Sequence, residues 1–393
     1  MDRRGFTTRA LAAGGWAAGG LAGGLAAGLA RPARSAPAYR GPNTIIIRFG
    51  GGVRRRETIE PETTWAPYFL HRLAPQGVLI PRLSIAQLDG VDTSHAEGTL
   101  NILTGRYRAY RDLAEGVEFD RLEPTEPTLF EYFRRAFDIP AHQALLVNGE
   151  DRLQEEFLAY GIHPSHGIAF RSEVLSLYRF KLWSLRETLA GGAGTDEQIA
   201  ADRKALAELE AKGMRGVPPR QAPEIEAMWA DWRAQWGGSG LKNPRGDGAL
   251  TELALWALRQ LRPRLMMINY QDPDYVHWGN ATHYTRAIAE IDRGIQRVVE
   301  AVEADEAYAG NTLLCIVPDC GRDANPLMSV PFQHHFNSRS AHEIFALFLG
   351  PGIARGRVLD KAIDQVSLAP TIAAAMGFRT GRAETGALSE IFA

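Results

Sequence analysis

Cysteine is nearly absent. The 393-residue chain has two, Cys315 and Cys320, five positions apart along one apolar run and its end, where a disulfide would need a sharp reversal. The fold is therefore not built on disulfides. Charge of one sign is lacking too: 44 basic residues against 46 acidic leave a net −2. Without a basic excess there is no electrostatic footprint for nucleic acid, which removes it as an expected partner. A good membrane span is also missing. The one long apolar stretch, Ala10 to Ala30, is diluted by seven glycines, and such a run is a poor span. No repeat or low-complexity tract appears outside that stretch.

The glycine- and alanine-rich stretch has a different reading. Arg3-Arg4 precede Phe6 and the weakly apolar run, which ends in Ala36-Pro37-Ala38, an A-x-A-like processing site. Residues 1–38 resemble a twin-arginine export signal. The expected mature chain is residues 39–393, periplasmic or secreted, with no stable membrane span after the signal is removed. Hydrophobic residues make up 45% of the chain, enough for one large core or two modest ones.

Along the mature chain, "TIIIRF" (44–49) reads as a strand entering the turn Gly50-Gly51-Gly52. Further strand-like runs are "GVLIPRLSI" (77–85), "ALLVNG" (144–149), "RLMMINY" (264–270), "TLLCIV" (312–317) and "IFALFLG" (344–350). "AEGTLNILTGRY" (96–107) reads as a helix ended by Gly105. A long helix carries Tyr284, Ile288, Ile291, Ile295, Val298 and Val302 on one face, and "SLAPTIAAAMGF" closes the chain as another. From about 171 to 260 the texture is rich in Ala, Glu, Lys, Arg and Trp, and predicts a helical insertion. In it Trp229, Trp232 and Trp236 share a helix face and pack the insert onto the body. Strands alternating with helices predict an α/β domain, a mainly parallel sheet sandwiched between helices.

Three strand ends collect the reactive side chains. Asp272, Asp274 and His277 follow 264–270. Asp319, Cys320, Arg322 and Asp323 come after 312–317, and His334, His335 and His342 precede 344–350. Open α/β sheets place ligands past the carboxyl ends of their strands. Carboxylates and imidazoles gathered there suit a divalent metal, zinc first, with manganese, magnesium or calcium as oxygen-richer alternatives.

Several segments, in chain order, resemble the alkaline phosphatase superfamily, which includes phosphatases, sulfatases, nucleotide phosphodiesterases and metal-dependent phosphoglycerate mutases. They are "IIIRFGGGVRR", "EGTLNILTGRY", "NYQDPDYVHWGNATHYTRAIAEIDRGIQRVVEAV", "TLLCIVPDCGRD", "SAHEIFALFLGPGI" and "SLAPTIAAAMG". The resemblance spans 44–110 and 264–380 and leaves out the insert. It implies one metal at Asp274, His277 and His342, with an Asp-to-His gap of three rather than four. The second site it implies, at Asp319 and Cys320, is damaged or rebuilt: Cys320 stands where a histidine usually stands, and either binds a soft metal such as zinc as a thiolate or merely fills the gap. The acid expected after the first strand reads Gly51, and the nucleophile position reads His95 beside Ser94. The expected function is metal-dependent hydrolysis of a small anionic phosphate or sulfate ester. Ser94 and His95 are the catalytic candidates, and Arg54 or Arg322 would hold the substrate. The alternative is a degenerate relative that binds a ligand or partner without turnover.

Overall fold

The run "TIIIRF" forms β1 (Asn43–Phe49), and every one of its residues is buried. A strand covered on both faces needs helices on both sides of its sheet, which sets the architecture. The structure, a computed structural model, describes residues 36–113, 122–149, 158–192, 194–211, 220–237, 246–277, 279–324, 332–334 and 338–393. The export signal expected over residues 1–38 thus lies outside the described residues, apart from its last three.

The remaining strands are β2 (Val78–Ser84), β3 (Tyr110–Asp112), β4 (Leu122–Pro124), β5 (Ala144–Asn148), β6 (Glu173–Leu175), β7 (Leu265–Asn269), β8 (Thr312–Pro318), β9 (Glu343–Leu349), β10 (Arg357–Val358) and β11 (Ile363–Asp364). Nine of them form one sheet in the order β10-β2-β9-β8-β1-β7-β5-β6, with β11 also on β2, while β3 and β4 pair separately. β1 runs parallel to β7 and β8, and β5 parallel to β7 and β6. Among the described residues only β9 runs against its neighbours in this sheet, pairing antiparallel with β8 and β2. The mainly parallel sheet expected from the sequence is therefore present.

Alternation along β1 sends Ile45, Ile47 and Phe49 to one core and Ile46 to the other. Helices α1 (His95–Thr104), α2 (Leu129–Phe137), α3 (Leu177–Gly191), α4 (Asp196–Ala211), α5 (Pro223–Trp236), α6 (Asp247–Leu261), α7 (Ala281–Ala304), α8 (Arg339–His342) and α9 (Leu368–Ala375) surround the sheet. Leu253, Leu258, Ile288 and Ile295 from α6 and α7 fill the first core; Leu100, Phe130 and Ile372 from α1, α2 and α9 fill the second. Among the described residues no helix is long and apolar enough to cross a membrane.

The segment from about 171 to 260 is helical in α3 to α5, but its ends belong to the body. β6 is an edge strand of the main sheet, and α6 packs along α7. Trp229 and Trp232 are buried, with Trp229 5.5 Å from Phe180 and Trp232 6.0 Å from Trp256 between ring centroids, so they pack as expected. Trp236 is partly exposed.

Candidate metal centre

The carboxyl ends of β1, β7 and β8 are adjacent, so residues just past them meet. β8 ends on Pro318, opposite Phe49 of β1, and delivers Asp319 and Cys320 to the edge. α1 begins at His95 over the same edge. Its start is fixed by Ser94, whose hydroxyl accepts a hydrogen bond from the Glu97 amide at 3.2 Å, an N-cap. α1 approaches closely because Gly98 has no side chain: a Cβ there would lie 2.1 Å from the Asp319 carbonyl oxygen.

β7 leads into a single 3-10 turn, Asp272–Val276, with His277 at its end. Side chains three apart eclipse in a 3-10 helix. The turn therefore brings His277 Nε2 to 2.7 Å from Asp274 Oδ1. This accounts for the gap of three: an α-helical turn would present positions four apart equally well, and this turn is tighter.

Three imidazoles converge on that one carboxylate oxygen. His95 Nε2 is 2.8 Å, His277 Nε2 2.7 Å and His334 Nε2 3.9 Å from Asp274 Oδ1. Each ring is also held at its other nitrogen. His95 Nδ1 meets Asp319 Oδ2 at 2.9 Å, His277 Nδ1 meets Gln333 Oε1 at 2.7 Å, and His334 Nδ1 meets the Thr93 carbonyl at 2.7 Å. Gln333 is oriented in turn by donating Nε2 to the His277 carbonyl at 3.1 Å. Metal-bound histidines are held in this way, because an acceptor at Nδ1 fixes the tautomer that carries the lone pair on Nε2.

The electrostatics follow from burial set against charge. Burial raises the Asp274 pKa, but the His95 charge and the bond from His277 outweigh it and hold the carboxyl well below its usual range. Burial works against a charged His95, yet Asp274 and Asp319 outweigh it and hold the imidazole well above its ordinary value. Asp319 is likewise raised by burial but pulled down overall by His95 and Arg48. The Cys320 thiol is pushed up to about 11, first by burial and then by the Asp319 charge.

His95, Asp274, His277 and His334 offer donor atoms that all lie within 4.8 Å of one another. A tetrahedral zinc ion with bonds of about 2.0–2.1 Å would space its ligands about 3.3 Å apart. The three separations to Asp274 bracket that spacing. With the second-nitrogen acceptors, these residues fit a divalent ion, and their nitrogen-rich set favours zinc. A second group, His95, Asp319 and Cys320, also lies within that distance, with Cys320 Sγ 3.6 Å from His95 Nδ1.

Other expected residues are placed differently. His342 joins neither donor group: its Nδ1 is 3.0 Å from the Ile85 carbonyl and its own carbonyl accepts the Ile85 amide at 2.9 Å. It extends the β2–β9 pairing by one step, and His334 stands beside Asp274 in its place. His335 lies outside the described residues. Arg54 is turned onto Glu57, at 2.9 and 2.7 Å, and lies over the Phe332 ring. Arg322 is fully buried and spent on the backbone carbonyls of Gly51, Gly52, Pro273 and Phe332. Both guanidinium groups thus have partners within the chain. Thr93, next to Ser94, donates its hydroxyl to the His334 carbonyl.

Sequence reasoning passed over Arg48. It is buried in β1 and reaches Thr99 Oγ1 at 2.6 Å and Asp319 Oδ2 at 3.4 Å. The signal was a single charge directly after the apolar run Ile45-Ile46-Ile47 in a fully buried strand.

No protein-family model matches the sequence, and no curated protein matches it. Solved structures do. Wild-type alkaline phosphatase PafA is 10% identical with a TM-score of 0.54, covering 91% of this chain and 100% of that one. The 2-O GAG sulfatase BT1596 is 13% identical with a TM-score of 0.54, covering 90% of this chain and 74% of that one. The likeness is one of fold.

Proposed function

We propose that this chain, which has the fold of alkaline phosphatases and sulfatases, is an exported hydrolase of phosphate or sulfate esters that works with a divalent metal held by Asp274, His95, His277 and His334. The observation that carries the reading is the convergence of three second-nitrogen-anchored imidazoles on one carboxylate oxygen. A bound ion there supplies Lewis acidity and eases deprotonation of water. The chain's own residues hold the geometry. Asp274 supplies negative charge, and Asp319, Gln333 and the Thr93 carbonyl keep the three rings aimed. Hydrolysis joins a water oxygen to phosphorus or sulfur, breaks the ester bond and returns a proton to the leaving oxygen. The turn that carries Asp274 also walls a cavity of about 710 Å³, lined by Arg286 and His283 together with the carboxylates Asp272 and Glu290.

The attacking oxygen is assigned to water rather than to Ser94. The Ser94 hydroxyl caps α1 and the Thr93 hydroxyl is given to a carbonyl, while His95 faces the centre. Ser94→Ala should therefore keep turnover and lose only about 1 kcal/mol of stability from the missing cap. His95→Ala should lose at least about tenfold in turnover through its lost hold on the centre. Parallel assays on aryl phosphates, phosphodiesters and aryl sulfates, with and without chelator, decide this. A dead Ser94→Ala beside a working His95→Ala would overturn the water reading. Metal-replete protein that binds such esters without turning any over would instead support the non-catalytic alternative.

Export is a separate test. Replacing Arg3 and Arg4 with lysine should leave full-length precursor inside the cell, read by immunoblot of cell fractions. Unchanged processing would refute the twin-arginine assignment.

A further inference from the structure

The second donor group, His95, Asp319 and Cys320, has the composition of a metal site but not its vacancies. Asp319 accepts the Cys320 amide at 2.8 Å and the Gly52 amide at 3.2 Å on Oδ1. On Oδ2 it meets His95 Nδ1 at 2.9 Å and Arg48 Nη1 at 3.4 Å. A carboxylate offers about four lone-pair sites, and these four partners take them. Arg48 belongs to the strand itself and is further fixed by Thr99 Oγ1 at 2.6 Å and the Tyr270 carbonyl at 3.3 Å. Its guanidinium stands against Asp319 on the side of α1, where a second ion would meet a like charge at close range. Cys320 is fully buried beside this carboxylate, with its Sγ 3.6 Å from His95 Nδ1. β1 cannot supply an acid to the group from Gly51. That residue has φ +77, and a Cβ there would lie 2.4 Å from the Asp274 amide nitrogen.

Arg48 reaches the first donor group as well. Its Nη2 donates to Gln271 Oε1, and Gln271 Nε2 donates to Asp274 Oδ2 at 3.3 Å. That bond turns Asp274 so that Oδ1 is the oxygen the imidazoles meet. One buried cation thus orients both carboxylates, Asp319 directly and Asp274 through Gln271.

We infer that the Arg48 guanidinium takes the place of a second metal, so that the centre holds a single ion and Asp319 serves to position His95 rather than to ligate. The inference rests on the metal reading above but not on hydrolysis. Arg48, Gln271 and Asp319 are then positioning residues. Cys320 is a packing residue.

The test is metal content of the full exported chain after loading with excess zinc and removal of free ion, by inductively coupled plasma mass spectrometry. One zinc per chain is expected, in wild type and in Cys320→Ser alike. Cobalt(II)-loaded protein should show four-coordinate d–d absorption without a thiolate-to-cobalt charge-transfer band. Arg48→Lys should keep a stoichiometry of one but bind zinc about 10- to 100-fold more weakly, the usual penalty for losing an orienting group behind a ligand. Two ions per chain, no ion, or a thiolate band each overturn the inference. If Arg48→Lys does not fold, the wild-type stoichiometry and cobalt spectrum decide alone. One ion in a protein that hydrolyses no ester leaves this inference standing and removes the hydrolytic reading. Two ions in an active enzyme do the reverse.

Discussion

Replacing Asp274 with asparagine should empty the centre. The expected result is less than a tenth of the wild-type zinc content at micromolar zinc, with ester turnover reduced by roughly 10³-fold or more as the Lewis acid is lost. Asparagine keeps the shape, so the loss reports charge. Asp274 Oδ1 is where His95, His277 and His334 converge, and it is the only carboxylate in that donor group. Without it a dication would sit among three imidazoles with no carboxylate, beside Arg322, whose Nη2 is 4.0 Å from that oxygen. Burial alone would raise the Asp274 pKa, and the His95 charge reverses the shift. Removing Asp274 therefore also removes the counter-charge that His95 shares with Asp319. The measurement is zinc by mass spectrometry beside a thermal melt, which separates loss of metal from loss of fold. An asparagine variant with full zinc content would sink the donor assignment.

Much of the frame was legible because burial on both faces leaves a plain trace. β7 and β8 are nearly continuous apolar runs and β1 carries the apolar core Ile45-Ile46-Ile47, and no surface strand needs such a composition. α1 was legible from its glycine stop: Gly105 takes the left-handed conformation at φ 68 that ends the helix. β6 was hidden because three residues at a sheet edge, inside a stretch rich in helix formers, carry too little periodicity to register. β10 and β11, two residues each, were hidden for the same reason.

The site was legible by composition and less so by identity. The two strand ends that carry Asp274 and Asp319 were read from sequence, and both reach His95. The third histidine was not. His334 and His342 both precede β9, and choosing between them depends on where the chain between β8 and β9 runs, which no local pattern encodes. His342 adjoins the strand and is drawn into its ladder with β2, whereas His334 sits far enough back to reach α1. The buried arginines were illegible for a different reason. Arg322, at a strand end with its partners unknown, reads as a substrate clamp, and Arg48 draws no reading at all, because the partners of both lie on segments distant in sequence.

Arg322→Met should fail to fold, or fold with a loss of at least about 4 kcal/mol. The reason is the number of acceptors it serves. Its guanidinium donates from Nε to the Gly52 carbonyl at 2.7 Å and the Gly51 carbonyl at 3.1 Å, from Nη2 to the Pro273 carbonyl at 2.6 Å, and from Nη1 to the Phe332 carbonyl. Those carbonyls belong to three segments: the turn after β1, the turn that carries Asp274, and the stretch that carries Gln333 and His334. All face the interior beside a side chain with no solvent exposure. Each buried carbonyl left without a donor costs about 1–3 kcal/mol, and whole domains are stable by only about 5–15 kcal/mol. Arg322→Lys should rescue little, because one ammonium cannot reproduce a planar fork that serves four acceptors. A substrate-clamping arginine would behave otherwise, with stability preserved and KM raised. Urea denaturation of Arg322→Lys separates the two roles. A variant as stable as wild type but with weakened substrate binding would return Arg322 to the substrate; a midpoint shifted far down, or only insoluble protein, assigns it to holding the three segments of the centre together.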